Sequence, residues 1–357
     1  MERYSTNSAP GKTLNLMRRT LLWLRSFRAS RKRRISLQIF GSIAISLFLG
    51  WLVIQGLEWG KLYQQLRDFP IGSFTAALGV FLVGIFLRAW RWHVLIVNEP
   101  MSFMRLFLIQ NAGIGLNNLS PIRVVSEPLQ LALVTRRGGM SAATALATLA
   151  MEHIMDVFAT AALLGIGVWL LPELRGFSIQ LVGAVVFAGV SLIIFFVIAK
   201  GMNSIPGARR VEFLQRAIMA TRSLGRSPIR LGASLGGTFA YWVLLGLSGW
   251  ITAQALGIEV GVAAAVVLFM GSVFIVSAVP SPPGGAITFE AAVVYTLHLF
   301  GVSGEPALAF ALIMHVIMFV PSTMIAFLVL PGEGIKMFGR TDPTAIETVD
   351  KSEKETS

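Results

Sequence analysis

Six long apolar runs dominate this sequence: 35–56, 71–92, 141–170, 178–199, 229–255 and 306–330. A helix needs about 20 apolar residues to cross the hydrocarbon core of a bilayer. Every backbone polar group must be satisfied there without water, which leaves helices and closed barrels. Continuous apolarity, rather than strict alternation, selects helices. Composition agrees, with 55% hydrophobic residues and only 13% charged, against about 25% charged in soluble domains. That is too little polar surface to cover two or three soluble domains. The expected fold class is all-α, a polytopic membrane helix bundle of about 7–8 spans.

The 30 basic residues outnumber the 18 acids, and their placement decides what the excess means. Residues 1–34 hold ten Lys/Arg against one acid, segment 88–140 six against two, and segment 200–230 seven against one. Short basic loops stay on the cytoplasmic side. This predicts a multi-pass protein of the cell membrane with both termini in the cytoplasm. Arg31-Lys32-Arg33-Arg34 directly precedes an apolar run, a placement suited to anionic lipid headgroups as well as to topology. Trp23 and Phe27 lie beside Leu21, Leu22 and Leu24. They suggest a surface-lying helix, so nucleic acid is not an expected partner. The first 34 residues are too long and basic for a signal peptide, and 35–56 reads as a retained span. Residues 331–357 read as a disordered acidic tail; the last 17 positions carry five acids, two lysines and no periodicity. The chain thus divides into a basic cytoplasmic segment (1–34), a membrane domain (35–330) and the tail.

Two regions interrupt this pattern. Segment 103–119 ends in Asn117-Asn118-Leu119-Ser120-Pro121, followed by the short 124–136 bearing Glu127. Segment 262–279 ends at Pro280-Ser281-Pro282-Pro283-Gly284-Gly285, followed by the short helix 286–300 bearing Glu290. Irregular backbone at membrane depth persists only where protein or a water-filled cavity satisfies it. Paired broken segments in two halves point to a transporter's binding site and to an inverted repeat. The plainer reading is two loops at the membrane surface. We take Asn117, Asn118 and Pro121, and Pro283, Gly284 and Gly285, as the breaks of two re-entrant hairpins.

Ionisable residues inside a membrane are costly and become functional hypotheses. Glu152 and Asp156 lie four apart on one helix face, and Glu152 sits about 16 Å into its span, near mid-bilayer. His153 is adjacent but roughly 100° around the helix. With Arg123, Glu127, Glu290 and His315 these two acids make the expected substrate cavity. The alternative is an internal ion pair of Glu152 and Asp156 with Arg123, Arg88 or His315 that pins helices together. Arg88, Trp90, Arg91 and Trp92 read as an interfacial anchor of cations beside aromatic rings.

No catalytic or cofactor motif emerges. Cysteine is absent and histidines number four, which argues against a metal site. Glu152-His153 with Asp156 lacks the second histidine of a zinc-protease helix. Gly232-Ala233-Ser234-Leu235-Gly236 matches a nucleophile elbow in letters, but it opens an apolar span where small residues serve helix packing. There is no phosphate-binding P-loop, and no cofactor is expected.

Four blocks in order resemble one family. They are Leu87-Arg88-Ala89-Trp90-Arg91-Trp92-His93-Val94-Leu95; Asn117-Asn118-Leu119-Ser120-Pro121 with Val125-Ser126-Glu127-Pro128-Leu129; Ala147 through Asp156; and Pro282-Pro283-Gly284-Gly285 with Phe289-Glu290-Ala291. Together they resemble the integral-membrane, flippase-like domain of lysylphosphatidylglycerol synthases. His153 stands where that family usually has Arg, Ser126 where it usually has Gly, and Gln130 where a basic residue is common. The soluble aminoacyl-transfer domain is not expected in the 27 residues after Leu330.

The resemblance implies translocation of a polar-headed lipid, phospho- or polyprenyl-linked, between leaflets. A membrane lipid is then the substrate, and a lipid-modifying enzyme is a conceivable partner. Two other functions fit the residues: a proton-coupled carrier of a small solute, and a non-catalytic membrane subunit of a lipid-modifying system.

Overall fold

The computed structural model describes residues 40–96, 99–120, 126–136, 140–172, 227–278 and 282–334, with the isolated positions 176 and 190. The expected span 178–199, the basic segments 1–34 and 200–226, Pro121, Arg123 and most of the acidic tail lie outside the described residues. No strand occurs among the described residues, and the chain is an α-helical membrane bundle.

Ten helices follow in order among the described residues. They are α1 (Phe40–Ile54), α2 (Trp59–Arg67), α3 (Ile71–Leu95), α4 (Phe103–Leu119), α5 (Ser126–Thr135), α6 (Ala142–Leu170), α7 (Pro228–Ala255), α8 (Val262–Ala278), α9 (Thr288–His298) and α10 (Glu305–Val329). A one-turn helix at Pro283–Gly285 precedes α9. These bounds fall close to the apolar runs read from sequence. Among the described residues, only α3, α6, α7 and α10 are long and apolar enough to cross a membrane alone; α1 and α2, bent by 92°, make a fifth span if taken together. The chain thus has four to five candidate spans among its described residues, against the 7–8 expected. The difference has two sources: one expected span is not described, and α8 and α9 are short.

The outer surface is apolar. Ile229, Trp169, Leu328 and Ile71 are 86%, 80%, 79% and 75% exposed. In water such a surface would aggregate; facing acyl chains it costs nothing. Apolar burial therefore does little to join these helices, and close packing and polar contacts take its place.

The helix pairing shows this directly. α3 and α7 run antiparallel, with three register points. Ser248 Oγ donates to the Ala77 carbonyl at 2.8 Å, Gly84 faces Tyr241, and Gly237 faces Arg91. A Cβ at Gly237 would stand 3.2 Å from the Arg91 Cβ and from the Trp90 ring, so the missing side chain sets the spacing of the two helices there. α4 and α10 are also antiparallel. Ser322 Oγ donates to Asn111 Oδ1 at 3.1 Å, and Asn118 Nδ2 donates to Thr323 Oγ1 at 3.2 Å. Gly115 touches the Ser322 backbone so closely that a Cβ would lie 2.1 Å from its carbonyl oxygen.

The main core joins α3, α7, α8, α9 and α10 around Phe81, Trp242, Phe269, Phe289 and Phe310. A second core gathers Trp92, Leu106, Ile109, Leu133, Leu149 and Ala326, from α3, α4, α5, α6 and α10. At the chain's second break, Gly284 (φ 73°), Gly285 (φ 68°) and Ile287 (φ 69°) all have positive φ. Glycine adopts that region freely, whereas a β-branched residue there is strained. Gly50 of α1 makes room for Ile287: a Cβ at position 50 would come within 2.7 Å of its Cγ2.

Candidate functional site

A lone guanidinium in hydrocarbon is very costly, so a buried arginine must find acids. The buried stripe of α3 runs through Ala77, Phe81, Ile85, Trp92 and Leu95. Continued at three- and four-residue steps, that stripe carries Arg88 and Arg91 inward. Arg91 is fully buried. It donates from Nη1 to Asp156 Oδ1 at 2.7 Å and from Nη2 to Asp156 Oδ2 at 2.8 Å. The same Nη2 reaches Glu152 Oε1 at 2.8 Å, and Nη1 reaches Thr238 Oγ1 at 2.8 Å. Gln110 Nε2 adds a bond to Glu152 Oε1 at 3.0 Å. One residue from α3 thereby binds α6 and α7, and α4 joins through Gln110.

The acids do form an internal ion pair, but their partner is Arg91, which the sequence reading put at the membrane interface. The interfacial-anchor reading does not hold for Arg91 and Trp92. Trp92 is enclosed, and its Nε1 donates to Thr148 Oγ1 at 3.2 Å. Trp90 alone of the pair of tryptophans is exposed, at 38%. The physical reason is that a Trp/Arg cluster at a helix end reads the same whether it meets headgroups or neighbouring helices. It follows that the loop charge of segment 88–140 is smaller than counted, because two of its arginines are internal.

Arg88, one turn before Arg91, faces a cavity of about 350 Å³. Asp156, Asn117, Asn118, Thr160, Tyr241 and Trp242 line it, together with Phe81, Ile85, Phe289 and Phe319. The Tyr241 ring lies near both cations, with the Arg88 guanidinium carbon 5.6 Å and the Arg91 carbon 5.8 Å from its centroid. Both are within cation–π range. Three lining residues carry a buried polar atom with no hydrogen-bond partner among the described residues: Arg88 Nε, Asn117 Oδ1 and Trp242 Nε1. Such atoms are rare in folded proteins.

The last turn of α4, just before the first break, meets the second break beside this cavity. Gly284 faces the Asn118 carbonyl oxygen at 3.7 Å and His315 Nε2 at 3.9 Å, measured from where its Cβ would be. His315 Nδ1 pairs with Glu290 Oε1 at 2.6 Å, while Glu290 Oε2 is buried and unpartnered. The His315 ring packs on Phe289 and Phe319, both of which also line the central cavity. Glu290 itself opens to a second cavity of about 460 Å³, lined by Leu47, Gly50 and Trp51 of α1, by Ile287, and by Leu308 and Leu312 of α10.

Of the residues expected to share a cavity, the structure brings Asp156 to its wall, beside the break residues Asn117 and Asn118. Glu152 lies behind Asp156, 3% exposed and held by Arg91 and Gln110. Glu290 and His315 sit in the adjoining wall. Glu127 is half exposed on α5, 3.6 Å from His153 Nε2. Pro283 and Gly285 frame the second break; Arg123 and Pro121 lie outside the described residues. Sequence reasoning missed Gln110, Thr238, Tyr241 and Trp242. A signal for the last three exists: Ser234, Thr238, Tyr241, Trp242, Leu245, Ser248 and Thr252 follow helical spacing along one side of α7, and all are buried. Ser234 stands inside that helix and on no strand-to-helix turn, which removes the nucleophile-elbow geometry. No group of three or more metal-ligating side chains occurs among the described residues.

Comparison with known proteins agrees with this architecture. The family description of the lysylphosphatidylglycerol synthase TM region matches residues 39–326, a stretch containing both chain breaks and the charge cluster. A UPF0104 membrane protein from Methanothermobacter thermautotrophicus is 22% identical over 303 residues, covering 78% of this chain and 88% of that protein. The chain therefore belongs to the lysylphosphatidylglycerol synthase TM-region family.

Proposed function

We propose that this protein moves a polar-headed lipid between the leaflets of the cell membrane, with its basic segments on the cytoplasmic side. One observation carries the reading: a polar-and-aromatic cavity lies inside an apolar bundle where the end of α4 touches the second chain break, and it holds unpartnered donors and acceptors. A headgroup entering it exchanges water for Arg88, Asp156, Asn117 and Trp242, while the acyl chains stay among the exposed apolar side chains outside. Regular helix stops after Leu119 of α4 and at the Gly284 turn, and these are the parts that shift as the headgroup passes. Family membership supports the reading, since the family's name joins a membrane region to a lipid synthase.

The test is a leaflet-accessibility assay with the full chain in vesicles containing a fluorescent phospholipid and a membrane-impermeant quencher. Translocation makes inner-leaflet label quenchable at a rate that protein-free vesicles do not show. Rates equal to protein-free vesicles across phospholipid and polyprenyl-phosphate probes would remove the reading. The Glu290–His315 pair favours a second one, proton-coupled carriage of a small solute, because an acid and an imidazole 2.6 Å apart can pass a proton. That reading requires a pH gradient to drive uptake of a soluble substrate into the same vesicles.

A further inference from the structure

Arg88 and Arg91 stand one turn apart near the same tyrosine ring, and the Nε of each is buried without a partner, yet their Nη donors are used in opposite ways. Both Nη atoms of Arg91 are occupied by Asp156, Glu152 and Thr238. Arg88 makes no ion pair within 4.0 Å among the described residues, and its Nε is buried without a partner. Trp242 is 93% buried by its 7% exposure, and its Nε1, a group that only donates, has no partner either. Both residues line the central cavity. Asn117 lines it too; its amide, turned over, presents Nδ2 in place of the unpartnered Oδ1.

We infer that Arg88 and Trp242 form a phosphate-binding site within the central cavity, with Asn117 as a third donor. The inference rests on the lipid-translocation reading for the role of the cavity, and it names the chemistry recognised there. A guanidinium and an indole N–H supply donors without acceptors, which suits the oxygens of a phosphate. The geometry does not select by net charge: Arg88 and Arg91 balance Glu152 and Asp156, so the four side chains sum to zero. Selection comes from the Arg88 guanidinium, which makes no ion pair among the described residues while Arg91 occupies Glu152 and Asp156. An isolated ammonium headgroup finds no such match, since both Asp156 oxygens already accept from Arg91. Two sources supply phosphate, a lipid headgroup and the free ion, and the site's chemistry is common to both.

Native mass spectrometry of the purified full chain reads this directly. The probes are phosphatidylglycerol, phosphatidylcholine, diacylglycerol and a phosphate-free trimethylammonium lipid of matched acyl chains. The two phosphate lipids are expected to be retained at least about tenfold better than the two without phosphate, the range for hydrogen bonds to charged groups. Arg88→Gln is expected to abolish that preference, Trp242→Phe to reduce it about threefold, and Arg88→Lys to keep part of it. Trp242→Phe leaves the packing volume nearly intact, so it stays informative if Arg88→Gln fails to fold. Inorganic phosphate that displaces the retained lipid marks the free ion as a ligand; retention unaffected by it assigns the site to lipid phosphate. Equal retention of all four lipids, or full preference in both Arg88→Gln and Trp242→Phe, overturns the inference. Retention with no leaflet movement would instead sink the translocation reading and leave the site standing.

Discussion

At Arg91 one guanidinium serves two carboxylates, a hydroxyl and three long helices; at Glu290 one carboxylate meets one imidazole on an 11-residue helix that begins at a strained turn. The first centre fills both Nη atoms with four hydrogen bonds, though Arg91 Nε and Gln110 Oε1 have no partner. The second has a single contact and leaves Glu290 Oε2 without a partner, in the wall of the cavity beside α1. Buried charge can serve as a clamp or as a moving part, and the number of charge contacts separates the two uses. A multiply paired cluster resists rearrangement because every alternative leaves a charge bare in low dielectric. A half-satisfied pair beside a turn with three positive-φ residues has less to lose when the backbone shifts.

Substitutions can break or sharpen this contrast. Arg91→Met leaves two buried carboxylates unpaired and is expected to destabilise the protein by about 3–5 kcal/mol, read as the melting shift in detergent micelles. A shift no larger than that of a Glu290 variant would erase the distinction. Gly115→Ala pushes a methyl against the Ser322 carbonyl between α4 and α10 and should cost about 1–3 kcal/mol. Its transport rate should fall along with its stability, because that helix pair carries the first break. Thr238→Val removes one acceptor from Arg91 and is expected to cost about 1 kcal/mol, with lipid movement in vesicles unchanged. Glu290→Gln keeps an acceptor for His315 and should cost only about 0.5 kcal/mol. It is nevertheless expected to slow leaflet exchange more than Thr238→Val does; the reverse order would make the Glu290 pair a structural one. Smallest of all, Lys61→Ala removes the exposed pairing with Glu58 at 2.5 Å and should leave the melting temperature where it was.

The partner of Glu152 and Asp156 shows where reading residues alone stops. Their spacing predicts a shared face, and that face is real. Nothing local tells whether the answering cation is Arg88, Arg91, Arg123 or His315. Arg91 lies 61 positions from Glu152, and choosing it requires the antiparallel register of α3 against α7 and the crossing of α6. The same holds for Trp92, which looks like an interfacial residue until Thr148 is placed beside it. Asn118, just before the first break, and Gly284, within the second, were each marked by their Pro and Gly neighbours. That they touch is a product of how α4 and α10 pack.

Hydrophobicity over 20-residue windows determined that this chain is a bundle of membrane helices, where most of those helices begin and end, and at which two places the backbone is interrupted. These are properties of single segments: length against bilayer thickness, and the backbone geometry of proline and glycine. Which arginine the acids hold, which one is left with open donors, and which polar atoms surround one cavity were decided only by tertiary structure. Those choices depend on distances between segments far apart in the chain, and close-packed small residues such as Gly115 and Gly237 set them.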